Sequence, residues 1–218
     1  MTPRLVSLNV GRPTRLGDVK SPGRAWTSGI YKTPVSGRVH LASENLSGDA
    51  QADLTVHGGP DKAVCVYSVD HYPHWREELG EPECGPGWFG ENFSVEGQQE
   101  GAVCVGDAYR VGTAVVQISQ PRAPCSKLGR RWNRLDMPKV VIASGRTGWY
   151  LRVLEEGHVE CGDTLTLLER PFPQWTIDAV NAVAYSRGGA VNIDAARELA
   201  NCPALAEAWR GGFRNLVE

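Results

Sequence analysis

Val103-Cys104-Val105-Gly106-Asp107-Ala108-Tyr109-Arg110-Val111, a Gly112-Thr113 break, then Ala114-Val115-Val116-Gln117-Ile118-Ser119 make two β-type runs joined by a two-residue turn. β-Branched and aromatic residues fill both runs, and a glycine-led break is what a tight strand connection requires. The Gly-Asp pair at 106–107 has an echo, because Cys161-Gly162-Asp163 precedes Thr164-Leu165-Thr166-Leu167-Leu168. Two alternating runs entered through Gly-Asp turns predict a β-barrel whose strands begin at polar corners. Further outward, Arg4–Val10 alternates and reads as the opening strand, and 37–41 reads as another. Ala63-Val64-Cys65-Val66-Tyr67 is apolar on both faces and reads as a buried strand.

Two helices interrupt these strands. One covers 69–79, with Tyr72, Trp75 and Leu79 at helical spacing. The other starts at Asp136 as N-cap, places Pro138 in its first turn and stops at Gly145. After Pro171-Phe172-Pro173 the texture becomes helical. Thr176 caps a helix whose Ile177, Val180, Val183 and Ala184 share a face. Asn192 or Asp194 caps a second that ends before Pro203, and 204–210, extended or capped by 213–217, makes a third. The expected division is a β-barrel over 1–170 and a three-helix unit over 174–218. A unit of fewer than about 50 residues is marginal alone and should dock on the barrel.

Composition narrows the function. The formal net charge is -2, so no chain-wide field draws the protein to nucleic acid. Arg187, Arg197, Arg210 and Arg214 in the C-terminal part are interleaved with Glu198, Glu207 and Glu218, which leaves no basic stripe for a duplex. No run approaches the roughly 20 apolar residues of a membrane span, and the N-terminus lacks an apolar run of leader length. The six cysteines, at 65, 84, 104, 125, 161 and 202, show no C-x-x-C spacing. That argues against structural zinc and against a disulfide framework, and makes a reducing cytoplasm the expected compartment.

Four segments carry candidate chemistry. In Gln120-Pro121-Arg122-Ala123-Pro124-Cys125, two prolines fix the backbone just past a strand end, and Arg122 and Lys127 flank the thiol. Nearby cations favour thiolate, the nucleophile and soft metal ligand, although free cysteines more often end as small core residues. Arg122, Lys127, Arg130, Arg131 and Arg134 follow one another with no acid between them, a block suited to an anion or to a solvated loop. His57-Gly58-Gly59-Pro60-Asp61-Lys62 reads as an oxyanion cradle or as an ordinary tight turn. Gly87-Trp88-Phe89-Gly90-Glu91-Asn92-Phe93 reads as a pocket wall or as an aromatic plug for the barrel. Gly145-Arg146-Thr147-Gly148-Trp149-Tyr150-Leu151-Arg152 offers Arg146 to a phosphate or heterocycle, or to a salt bridge.

Together and in this order, these segments resemble the MOSC-domain family, the domain named for the C-terminal part of molybdenum cofactor sulfurase, and most closely its bacterial YiiM-like branch. The resemblance rests on Val56-His57-Gly58-Gly59-Pro60-Asp61-Lys62-Ala63-Val64, Phe89-Gly90-Glu91-Asn92-Phe93, Val105-Gly106-Asp107, Ile118 to Cys125 with Lys127-Leu128, and Thr147-Gly148-Trp149-Tyr150-Leu151-Arg152-Val153-Leu154. It covers nearly the whole chain, including a C-terminal three-helix part. Phe93 stands where family members often have Leu, a conservative departure. The resemblance implies a mixed, mostly antiparallel β-barrel with a C-terminal three-helix appendage. It implies molybdenum held by a pyranopterin dithiolene, with Cys125 as the metal ligand. Gly58, Gly59, Lys62, Asn92, Ser119, Arg122, Lys127 and Arg146 are the expected cofactor contacts, and His57 and Glu91 the expected proton relays. The implied activity is reduction of hydroxylamines, N-hydroxylated bases and amidoximes by oxygen-atom transfer to molybdenum, a detoxification. With no flavin or nicotinamide fingerprint, an external reductase would supply electrons. The alternative keeps Cys125 but makes it a persulfide carrier or a handler of molybdenum cofactor. A homodimer is left open.

Overall fold

A computed structural model describes residues 2–17, 25–54, 57–186 and 192–218; Val56 and Arg187 lie outside them. Among the described residues there are twelve strands: β1 Arg4–Val10, β2 Thr14–Leu16, β3 Trp26–Ser28, β4 Thr33–Pro34, β5 Val39–Leu41, β6 Val64–Ser68, β7 Phe93–Glu96, β8 Ala108–Val111, β9 Ala114–Pro121, β10 Trp149–Glu155, β11 Gly157–Val159 and β12 Thr166–Glu169. Six helices complete the described residues: α1 Tyr72–Leu79, α2 Ser126–Arg131, α3 Met137–Ser144, α4 Ile177–Ala184, α5 Ile193–Ala200 and α6 Glu207–Val217.

Eight strands form one curled sheet in the order β12-β8-β9-β10-β6-β7-β1-β4. Its pairings are antiparallel except β6 with β7. The sheet curls back on itself: Leu5 N donates to Asp163 O (2.8 Å), Gly162 N to Leu5 O (2.7 Å) and Leu165 N to Pro3 O (3.0 Å), so the segment entering β12 pairs with the start of β1. The fold is the mixed, mostly antiparallel barrel-like sheet with C-terminal helices expected from the sequence.

The opening stretch behaves in part as read. Residues 108–111 and 114–121 are the hairpin β8–β9, but 103–107 is not strand. Asp107 N donates to Cys104 O (3.0 Å), Gly106 adopts φ 86°, and the buried Asp107 carboxylate accepts from Cys104 N, the Tyr109 hydroxyl and Arg170. An aspartate that satisfies its own turn competes with ladder pairing. Seven elements are additional to the sequence reading: β2, β3, β4, β7, β10, β11 and α2. β2, β3, β4, β7 and β11 have four residues or fewer, α2 falls in the basic block, and β10, in the stretch read for its Arg146, lies between β9 and β6. The expected helix over 69–79 divides into a 3-10 turn, Val69–His71, and α1. Asp136 occupies the N-cap of α3 without capping it, because its carboxylate accepts from Arg134 Nε (3.2 Å).

The C-terminal helices share one hydrophobic cluster with the sheet, in which Ile177, Val180, Leu199, Leu205 and Phe213 pack with Val105, Val116 and Ile118. Thr176 caps α4 by accepting from Ala179 N (3.1 Å), and Asn192 caps α5 by accepting from Ala195 N (3.1 Å). Backbone bonds fasten helices to barrel: Ala206 N to Ser119 O (2.9 Å) and Val105 N to Trp175 O (2.9 Å). A second cluster, with Tyr67 and Phe89 stacked at 4.5 Å, lies beneath α1, α2 and α3. No helix of the described residues is long and apolar enough to cross a membrane.

Gly148 sets how closely β10 begins beside β6. Its φ is +74°, and a Cβ there would lie 2.4 Å from Val66 O. Gly37 has a similar φ, +78°, but nothing within 4 Å of its would-be Cβ. Gly37→Ala should therefore cost only the left-handed penalty of about 1 kcal/mol, and Gly148→Ala at least about 2 kcal/mol more. Urea denaturation of both variants checks this, and equal losses would show that the β6–β10 approach is not tight.

Candidate functional site

The site forms where three strands end. Cys65 in β6, Tyr150 in β10 and Gln120 in β9 are cross-strand partners in one row. Arg122 continues the ladder one step past β9, its N–H donating to Gly148 O (3.0 Å). Pro124 then turns the chain, and Cys125 becomes the N-cap residue of α2, with φ -107° and ψ 169°. Beside these elements is a cleft lined by Cys125, Cys65, Tyr150, His57, Gly58 and Asn92, with Lys32, Lys62, Arg122 and Lys127 as its cations. Among the described residues no carboxylate lines it.

Burial pushes the Cys125 thiol up, but the His57 hydrogen bond, the Arg122 and His57 charges and the Lys127 backbone N–H outweigh it and bring it down to about 7. Cys65 goes the other way. Its burial raises it, and the Arg122 charge only partly offsets that. Arg122 is 7% exposed and donates to Phe89 O (2.6 Å). Burial works against its charge, but Cys65, Tyr150, Cys125 and Glu91 around it hold the guanidinium protonated more firmly than usual.

The cradle is built from both sides. Gly58 has φ +101°, and a Cβ there would lie 3.2 Å from Leu54 Cδ2 and 3.3 Å from Gln51 Oε1. Gly59, at φ +81°, caps the 3-10 turn Pro60–Lys62, and Lys62 N donates to its carbonyl (2.9 Å). Asn92 is a strut. Its Oδ1 accepts from Cys65 N (3.1 Å), and its Nδ2 donates to Asp49 Oδ2 (2.9 Å). Asp49 in turn accepts from the buried Lys32 ammonium and from Gly11 N (2.8 Å).

Four sequence candidates do not line the cleft: Gly59, which caps the adjoining 3-10 turn, and Glu91, Ser119 and Arg146. Glu91 is fully buried and does not line the cleft. Its carboxylate accepts from the Tyr72 hydroxyl (2.5 Å), Gly87 N (2.6 Å), the Ser94 hydroxyl (2.7 Å) and Phe89 N (3.1 Å), which knits the aromatic loop to β7 and α1. Ser119 is buried, its hydroxyl directed at Asp61 O (2.6 Å) and Tyr150 O (3.1 Å), so it fastens the 3-10 turn to the sheet behind the cleft. Arg146 lines a separate cleft with His71, Glu100 and Asp178. Conversely, Lys32, Cys65 and Tyr150 line the Cys125 cleft without having been singled out. The only sequence signal for Tyr150 and Cys65 was their place in strands flanking a candidate segment; Lys32 had none.

Comparison with known proteins identifies the family. The MOSC domain model matches residues 53–166, and the YiiM-like, 3-alpha helix domain model matches 175–218. A Bacillus subtilis (strain 168) protein named YflK is 44% identical over 209 residues, spanning 96% of this chain and 92% of that one. A Gibberella moniliformis protein named Reductase is 39% identical over 196 residues, which is 88% of this chain but 34% of the longer relative. The crystal structure of YiiM from Geobacillus stearothermophilus superposes with a TM-score of 0.81 at 38% identity, covering 99% of this chain and 100% of that one. The chain belongs to the MOSC domain family and carries the YiiM-like three-helix extension.

The electrostatics make a test. Alkylation of Cys125 by iodoacetamide should rise with pH around a midpoint of about 7, because its thiolate is reached below the usual thiol range. His57→Ala should move that midpoint upward, as read by peptide mass spectrometry. An unchanged midpoint would remove His57 from the account.

Proposed function

We propose that this protein is a molybdenum-cofactor-dependent reductase of N-hydroxylated compounds, with Cys125 as the protein's metal ligand. One observation carries the reading: a thiol brought down to about 7 sits in a cleft with Lys32, Lys62, Arg122 and Lys127 on its wall and no carboxylate among the described lining residues. That donor set fits an anionic pyranopterin with its phosphate and a soft metal centre. Gly58 allows close backbone approach, and Asn92 fixes the wall behind it. When bound, the cofactor would supply two-electron oxygen-atom exchange with the substrate.

The remaining tasks belong to the chain. Cys125 offers a thiolate at neutral pH. Lys32, Lys62, Arg122 and Lys127 orient anionic groups and neutralise their charge. His57, hydrogen-bonded to Cys125, is the titratable side chain placed to hold and release a proton beside it. The overall change converts N–OH to N–H and water with two electrons and two protons. A Gibberella moniliformis relative, of which the chain spans 34%, is named Reductase, and that name is in keeping with a redox role. A second reading, persulfide carriage at Cys125, draws support from Cys65, a second thiol in the same cleft.

Metal analysis tests the proposal. Wild type from a molybdenum-replete host should hold near-stoichiometric molybdenum and oxidisable pterin and reduce a hydroxylamine or amidoxime with reduced methyl viologen. Cys125→Ala should lose molybdenum and turnover. Wild type that holds neither metal nor pterin, yet releases sulfane sulfur to cyanide, would favour the carrier.

A further inference from the structure

Helix α2 runs from Cys125 at the cleft to an outward turn that the reading above leaves without a task. Its six residues span about 9 Å at 1.5 Å per residue. At the turn, Leu135 is 75% exposed, more than any other large apolar side chain of the described residues. The turn is braced. Asn133, the only described non-glycine at positive φ (49°), donates its N–H to Arg130 O (3.2 Å), and Arg134 N donates to Gly129 O (2.8 Å). A Cβ on Gly129 would lie 3.0 Å from Arg134 O, so α2 and the turn are in close contact. Leu135 is thus presented by a fixed loop.

Its surroundings are cationic and aromatic. Arg130 and Lys139, both exposed, flank the turn in sequence, and Arg134 between them pairs with Glu78 (2.9 Å) and Asp136 (3.2 Å). Arg131 lies 4.3 Å from the Tyr31 ring centroid, with Nη1 buried and without a partner, and Arg130 lies 5.6 Å over Trp26. Tyr31 is exposed beside Arg131, and aromatic rings and arginines are the residues enriched in protein-binding hot spots; the exposed Leu135 adds apolar area to that patch. A short braced turn on a chain of net charge -2 does not offer the extended stripe that duplex nucleic acid needs.

We propose that the α2–α3 turn, with Leu135 at its centre and Arg130 and Lys139 in its rim, is the docking face for an acidic electron-carrier protein. The inference rests on the reductase reading, which consumes electrons that the side chains of the cleft do not supply. Two one-electron transfers oxidise the carrier; with two protons from solvent, the N–O bond breaks, an N–H bond forms and water leaves. The basic rim selects a carrier with acids around its redox group and accelerates encounter.

The test uses cofactor-loaded protein, an amidoxime substrate and two electron sources: reduced methyl viologen, and flavodoxin or a plant-type ferredoxin, both acidic, with their NADPH-dependent reductases. Wild type should turn over with both sources and slow with rising salt only for the protein carrier. Arg130→Glu/Lys139→Glu and, separately, Leu135→Asp should lower kcat/KM for the carrier about tenfold or more and leave the viologen rate within about twofold. All three positions are exposed, and unchanged thermal melting establishes folding. Variants that match wild type with the carrier would overturn the docking face, as would a wild type that viologen reduces but neither carrier does. A loaded wild type inactive with viologen as well would instead overturn the reductase reading, and the docking inference with it.

Discussion

Lys32, Lys62, Arg122 and Lys127 converge on one cleft whose described wall holds no carboxylate. Like charges near a protein surface repel by a few kcal/mol per close pair at an effective dielectric near 20. The fold tolerates this because the compensating acids lie one layer back. Asp49 accepts from Lys32 while fixed by Asn92 and Gly11 N, and the Glu91 carboxylate helps hold the Arg122 charge from within the aromatic cluster. The cations are thereby kept in place, yet their positive field is directed at the cleft. A thiol set in that field ionises early, and an anion entering it relieves the repulsion.

The backbone arrangement serves the same end. β6, β10 and β9 bring Cys65, Tyr150 and Gln120 into one row, and Gly148 lets β10 start close against Val66. Arg122 extends that ladder, so its guanidinium enters the site from a fixed backbone. Ser119 ties the 3-10 turn behind Gly59 to the sheet, while its carbonyl accepts from Ala206 N at the base of α6. The strand that delivers Cys125 is thus anchored both to the cradle and to the C-terminal helices, which makes those helices part of the site's support.

Much of this was legible in the sequence. Pro121, Arg122, Pro124 and Cys125 are contiguous, so cation, thiol and fixed backbone could be read from one segment. Caps such as Thr176 and Asn192 are local chemistry and appear where expected. Lys32 was not legible, because its role depends on Asp49 and Asn92, which are remote in sequence. Cys65 resembled an ordinary core cysteine, and it is 6% exposed; only its register opposite Tyr150 places it at the cleft wall. Glu91 was legible as a motif but not by position. A titratable side chain in a glycine-rich loop pointed to proton transfer, whereas four donors from the loop, β7 and α1 enclose it. Arg146 follows a helix end as read, but the α3–β10 connection turns it toward another cleft. Motifs locate the segments of such a site, and tertiary packing decides which face of each segment the ligand meets.

The central claim is that the Cys125 sulfur completes the coordination of a molybdenum centre. X-ray absorption at the molybdenum edge of cofactor-loaded protein tests it most directly. The account predicts a sulfur shell in wild type larger by one scatterer than the dithiolene supplies, with that scatterer replaced by oxygen in whatever metal Cys125→Ser retains. A wild-type shell with dithiolene sulfur alone, or one unchanged in Cys125→Ser, would contradict it.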